Sequence, residues 1–287
     1  MKREPVLALQ EVSFAYVGGG KALQSVSLNI YEGERIAVLG ANGAGKSTLF
    51  LNMNGVLFPQ QGRLCYRGNT ITRKNVNVLR RGVGIIFQDA DSQMIAPSVR
   101  AEISFGPMNL KLSRMEVESR VAAAVSFMNL QGYEDRPPHT LSGGEKKRVS
   151  IADIIAMEPE VFLFDEPQAS LDPLHVRQLE QVLDLLSGKG KTLIVGTHDV
   201  DFVWRWADRV LVMQEGTVRA DGPPPAVFSE RALCKDANLE QPMLYQLTKL
   251  LEERNLLKEK GRVPRTVKEL DTLLGDGQYL TERKERP

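Results

Sequence analysis

Two glycine-bearing loops, at residues 40–47 and 141–145, constrain this chain more than any other feature. The first reads Gly40-Ala41-Asn42-Gly43-Ala44-Gly45-Lys46-Ser47, followed by Thr48. It fits the spacing G-x-x-x-x-G-K-[ST], in which glycines let backbone N–H groups turn inward around phosphate oxygens. Arg35 to Leu39 reads as an apolar strand rising into this loop, and Leu49 to Leu57 as a helix leaving it. Lys46 then reaches the β- and γ-phosphates of a nucleotide, and the Ser47 hydroxyl suits Mg²⁺. The helix beginning near Lys46 presents its positive N-terminal end to the anion. The second loop, Leu141-Ser142-Gly143-Gly144-Glu145, is not explained by the first.

Between and beyond these loops the pattern is α/β. Val6–Leu9 and Val12–Tyr16 read as two strands, and 26–30 alternates with period two as a half-buried strand should. Val161–Phe164 and Thr192–Gly196 are continuous apolar runs, expected of a parallel sheet covered on both faces, and Val83–Phe87 reads as a further strand. Helical spacing recurs at 115–125, 146–157 and 173–187, and 210–220 reads as a closing hairpin. Pro223-Pro224-Pro225 is read as a linker. Beyond it, Leu244, Leu247, Leu250, Leu251 and then Val267, Leu270, Leu273, Leu274 fall at helical spacing, and Thr281 to Pro287 is polar. The expected division is a nucleotide domain over 1–222, a helical subdomain near 95–140, and an extension over 223–287 with a frayed tail.

Strand ends supply the remaining chemistry. Open α/β sheets bind ligands at the carboxyl edge. The 161–164 strand delivers Asp165 there to hold Mg²⁺, and Glu166, pointing elsewhere, to polarise an attacking water. His198 follows the 192–196 strand on the same edge, within reach of a γ-phosphate or water. Gln88 follows the 83–87 strand; its residue type allows contact with Mg²⁺ or water, and equally an exposed loop position. His139 and His175 read as surface residues.

Composition excludes some partners. With 37 basic and 36 acidic side chains the net charge is +1, which argues against a nucleic-acid partner held by a basic excess. Cys65 and Cys234 read as free thiols. The N-terminus lacks the apolar core of a signal peptide, and no run of about 18 apolar residues spans a membrane.

Taken in order, Gly40–Ser47, Gln88, Leu141–Glu145, Asp165-Glu166, Ser170-Leu171-Asp172 and His198 resemble the motif set of ABC-type ATPases, from about Val6 to about Gly222. The resemblance implies a P-loop core with a mixed sheet, an antiparallel β subdomain and an α-helical subdomain. It implies that Tyr16 stacks on adenine, that Gln88 links Mg²⁺ to a membrane partner, and that Asp165 is the metal acid. It makes Glu166 the catalytic carboxylate, His198 the switch histidine and Asp172 the acid communicating between two sites. It also implies that Leu141–Glu145 completes the ATP site of a second ATPase subunit, in a homo- or heterodimer. Phe87-Gln88-Asp89-Ala90-Asp91-Ser92-Gln93 and Leu141–Val149 are similar to energy-coupling-factor ATPases, although that group usually has proline where Ala90 stands. The tail at Glu240–Leu251 resembles those serving cobalt or nickel more than vitamin uptake. The implied setting is the cytoplasmic face of a membrane, peripheral to integral transport subunits. A soluble ABC ATPase, a P-loop kinase or GTPase, and a module with a dead site are the alternatives. The kinase reading leaves Leu141–Glu145 unexplained.

Overall fold

The computed structural model describes residues 3–274 except Ser92, Ser170 and Lys260. Ser170 of the 170–172 motif, Ser92 of the 87–93 motif and the 281–287 tail therefore lie outside the described residues.

The N-terminal part is β1 (Leu7–Ala15), β2 (Lys21–Ile30), β3 (Arg35–Leu39), α1 (Lys46–Met53), β4 (Gln61–Tyr66), β5 (Asn69–Thr70), α2 (Val76–Gly82) and β6 (Val83–Ile86). A helical layer follows: α3 (Val99–Asn109), α4 (Arg114–Phe127), a 3₁₀ turn at Pro138–Thr140, and α5 (Gly143–Ala156). The chain then runs β7 (Val161–Asp165), α6 (Pro173–Gly188), β8 (Thr192–Gly196), α7 (Val200–Trp206), β9 (Arg209–Gln214) and β10 (Thr217–Gly222). It ends with α8 (Pro224–Ser229), α9 (Arg231–Asp236), α10 (Met243–Glu253) and α11 (Val267–Leu273).

Six strands form one sheet in the order β10-β9-β3-β8-β7-β6, parallel from β9 to β6 with β10 antiparallel at the edge. Four strands form a separate antiparallel sheet, β2-β1-β4-β5. The apolar runs of the large sheet have a simple cause. Successive side chains point to opposite faces, and both faces are covered. Ile36 and Val38 of β3 enter a core shared with the antiparallel sheet and α1. Ala37 and Leu39 enter a second core with α5, α6 and α7. Leu163 against Phe162 and Phe164 divides in the same way.

Several boundaries differ from the sequence expectations. Val6–Leu9 and Val12–Tyr16 are one irregular strand, not two. Its register shifts after Leu9, where Glu11 takes a left-handed φ of 53° that bends the chain without ending it. The helix after the phosphate loop stops at Met53 instead of Leu57. The triple proline is not a linker. Pro224 and Pro225 open α8, where a missing N–H costs nothing, and Phe228, Cys234, Ala237 and Tyr245 join the core that covers one face of the large sheet. Trp204 of α7 anchors this extension: its indole Nε1 donates to Pro264 O at 3.0 Å, and its ring meets Phe228 and Tyr245 edge-on. The other side of α10 stays open, with Met243, Leu247 and Leu250 exposed on one stripe.

Candidate functional site

The phosphate loop joins β3 to α1 in the conformation its glycines permit. Gly43 and Gly45 have φ of 82° and 107°. A Cβ on Gly45 would stand 2.6 Å from Ala22 O, so the residue is needed for space as well as for dihedral. Lys46 is 6 % exposed and folds back under the loop. Its Nζ donates to Gly40 O at 2.7 Å and lies 3.2 Å from Glu166 Oε1. Tyr16 stands at the cleft mouth, half exposed; its hydroxyl is 3.3 Å from Thr48 Oγ1, and its ring meets Phe14 edge-on.

The sheet edge brings the remaining expected residues to the same place. A cleft of about 450 Å³ is lined by Tyr16, Ala41 to Thr48, Gln88 and Glu166. An adjoining cavity of about 500 Å³ is lined by Gly40, Ala41, Asn42, Gln88, Glu166 and His198, together with Asn238 and Glu240 of the extension. That last contact had no sequence signal, because nothing local in 238–240 says which wall it joins.

Asp165 ends β7, and Glu166 follows with a left-handed φ of 44°. Simple alternation along the strand would carry Glu166 to the opposite face. The positive φ returns it to the cleft, where Oε2 is 3.0 Å from His198 Nδ1. His198 itself is largely exposed. Burial raises the Asp165 pKa, the neighbouring Glu166 charge adds to the rise, and the Ser47 hydroxyl hydrogen bond and Lys46 oppose it. The Asp165 Oδ1 atom is sealed from solvent without a hydrogen-bond partner. An orphaned, buried carboxylate oxygen beside a serine hydroxyl, at a cleft that Gln88 also lines, is the all-oxygen donor set that Mg²⁺ prefers. The residues fit the ion.

The second glycine loop lies elsewhere. None of Leu141 to Glu145 lines either cavity. Ser142 is the N-cap of α5, accepting from Glu145 N at 3.4 Å, while the Glu145 carboxylate accepts from Ser142 N at 2.7 Å. This reciprocal pair is a capping box. It holds the Glu145 carboxyl below its usual pKa, chiefly through the Ser142 N–H. S-x-x-E spacing was the readable signal for it. Asp172 caps α6 in a related way, accepting from Leu174 N and His175 N at 2.9 Å each.

His175 is not the simple surface residue its sequence suggested. Its Nδ1 is 2.8 Å from Asp172 Oδ2, and its ring lies against Gly144 so closely that a Cβ there would come within 2.5 Å of it. His139 is exposed. Lys147 was also missed. It is 4 % exposed, and its Nζ donates to Phe87 O at 2.9 Å and Gln88 O at 2.7 Å.

The ABC transporter family pattern matches residues 23–169. The chain is 43 % identical to an energy-coupling factor transporter ATP-binding protein, EcfA2 of Methanospirillum hungatei, over 92 % of this chain and 67 % of that one. It is also 43 % identical to the cobalt import ATP-binding protein CbiO of Rhodobacter capsulatus, over 91 % and 94 %. The solved CbiO1 of Clostridium perfringens, described as part of a CbiONQ transporter complex, superposes with TM-score 0.72 at 40 % identity, covering 87 % of this chain and 99 % of that one. An ATP-binding cassette solved as a dimer with ADP and Pi superposes with TM-score 0.69 at 27 % identity, covering 76 % and 98 %. With its phosphate loop, strand-end acids and second glycine loop in one fold, the chain belongs to the ABC transporter family and is an ATP-hydrolysing member of it.

Proposed function

We propose that this chain is the ATPase subunit of an energy-coupling-factor importer for cobalt or nickel ions. The observation that carries the reading is a separation. Lys46, Ser47, Gln88, Glu166 and His198 converge on connected cavities, while Leu141–Glu145 lines neither of them. Each chain thus offers one phosphate cleft and one spare helix N-terminus with exposed Ser142 and Gly143. The spare N-terminus suits the phosphates held by a second ATPase subunit.

In the cleft, Tyr16 stacks on adenine, and the backbone of residues 40–48 with Lys46 holds the phosphates. Ser47, Asp165 and Gln88 hold Mg²⁺, which supplies charge neutralisation when bound. Glu166 orients and deprotonates the attacking water, and His198 fixes the Glu166 carboxylate and meets the γ-phosphate. Asp172, at the start of α6, lies at the junction of the two subunits. Phosphoryl transfer depends on positioning and charge stabilisation, so closure of two subunits controls its rate.

The division into a 1–222 ATPase domain with a helical subdomain near 95–140 and a 223–287 extension organises this work. Ile95, between the Gln88 segment and α3, and Phe105 and Met108 of α3 are exposed apolar residues. We assign that surface to an integral membrane subunit, which places the chain peripherally at the cytoplasmic face. No described helix is long and apolar enough to cross a membrane itself. The Met243, Leu247 and Leu250 stripe is assigned to pairing of two ATPase subunits. Cobalt rather than a vitamin is favoured by the CbiO relatives.

The test is reconstitution with the membrane proteins encoded beside this gene. ATP-dependent uptake of labelled cobalt or nickel is expected. Vitamin uptake would correct the cargo, and ATP hydrolysis without ATP-dependent pairing of subunits would overturn the shared-site reading.

A further inference from the structure

Lys147 has no place in the chemistry just described, yet burial of its ammonium is expensive. A lysine removed from water prefers to lose its proton, and its pKa is pushed down to about 8, mainly by burial, with Asp89 and Asp165 opposing the fall. It also sits near the positive end of α5, where a cation is disfavoured. What it gains is two carbonyls in a row, Phe87 O and Gln88 O.

The segment those carbonyls belong to has no regular structure of its own. It has alanine at 90, where the related group usually has the φ-restricting proline. Helix α5 holds it from the side instead. Lys146 Nζ is 2.6 Å from Asp91 Oδ1 at the exposed margin. Gln93 Nε2 reaches Ser150 O at 3.3 Å further along. Of these contacts, only that of Lys147 grips Gln88 itself. Five residues before Lys147 is Ser142, the cap of the same helix.

We propose that Lys147 is a positioning residue for Gln88, and that it joins the two half-sites contributed by one chain. A shift of the α5 N-terminus, when it meets nucleotide held by the other subunit, is passed through the Lys147 ammonium to the Gln88 backbone in this chain's own cleft. The inference rests on the reading of Gln88 as a contact to metal or water. It differs from a general packing role, because an apolar side chain of similar length would preserve packing and lose the link.

The experiment uses the full chain with Lys147→Met, Lys147→Gln, Gln88→Ala, and Lys147→Met combined with Gln88→Ala. Lys147→Met should lower kcat about tenfold with little change in KM for ATP, and Lys147→Gln, which keeps a neutral donor, should fall between it and the parent. Because one residue acts through the other, adding Lys147→Met to Gln88→Ala should cost no more than about a further twofold. Amide hydrogen exchange should rise over 86–91 and stay unchanged in α5 and β7. Losses that multiply in the double variant, unchanged exchange over 86–91, or parental kcat in both Lys147 variants would each overturn the proposal. If Lys147→Met does not fold, Lys147→Gln carries both measurements, alone and combined with Gln88→Ala. Parental turnover in Gln88→Ala would instead remove the role given to Gln88, and exchange over 86–91 would still decide whether Lys147 holds the segment.

Discussion

The phosphate cleft and the 141–145 loop both place glycines at the start of a helix, yet they are finished to different degrees. In the cleft the charges are buried: Lys46, Asp165 and Glu166 are each under 10 % exposed and face one another. At the second loop Ser142 and Gly143 are exposed, and the Glu145 carboxylate is engaged chiefly by the local cap with Ser142, with Tyr133 adding to it. Buried charge is tolerated where partners are supplied within the chain. A loop that leaves its helix N-terminus in water is stable alone and still open to an anion. The first region is a site; the second is a surface awaiting one.

The comparison breaks most sharply at Glu166. Glu166→Gln should lower phosphate release about a thousandfold while ATP binding persists, an effect confined to one carboxylate. Unchanged release would remove Glu166 from the chemistry. Ser142→Arg should lower turnover about a hundredfold by blocking closure, with ATP affinity of the isolated chain within about threefold of the parent. Loss of ATP binding there would instead point to misfolding of the variant, since Leu141–Glu145 lines neither cavity.

A partly buried acid on the loop's own helix tests stability instead of rate. Burial, reinforced by Glu102, raises the Asp153 pKa to about 7. Below about pH 4 both folded and unfolded chains hold the proton. Between about 4 and 7 only the folded chain does, so Asp153 lowers stability progressively as pH rises, by about 4 kcal/mol in all. Asp153→Asn should therefore gain on the parent across that window in denaturant unfolding, and a constant difference from pH 4 to 8 would refute the assignment. The smallest effect is expected at Gly144. Gly144→Ala pushes a methyl into the His175 ring and should reduce turnover about tenfold without loss of ATP binding. Adding His175→Ala should restore most of it, and failure to do so would mean that the glycine is needed for something other than His175.

What could be read in advance follows the reach of each signal. The phosphate loop and the strand-end acids are legible because their chemistry is set by neighbours in sequence: Gly45 precedes Lys46, and Asp165 ends an apolar strand. The capping box at Ser142 and Glu145 carries a signal in its spacing of three, but the expected helix start at 146 passed over it. Lys147 on Gln88 and His175 on Gly144 were not, because each bond joins residues that only the fold brings together. The triple proline misled for a physical reason. Proline marks a break in a chain and equally the first turn of a helix, and only the burial of Val227 and Phe228 distinguishes the two.

The Lys46–Glu166 ion pair has one further consequence. On the roles proposed above, a γ-phosphate entering the loop would compete with Glu166 for the same ammonium. As the lysine turns to its new counter-charge, the carboxylate is set free to take a proton from water. Substrate and base thus exchange a single cation. With Glu166 as the proposed base, it would be armed only when there is something to hydrolyse, and the Glu166→Gln chain should then hold ATP at least as tightly as the parent.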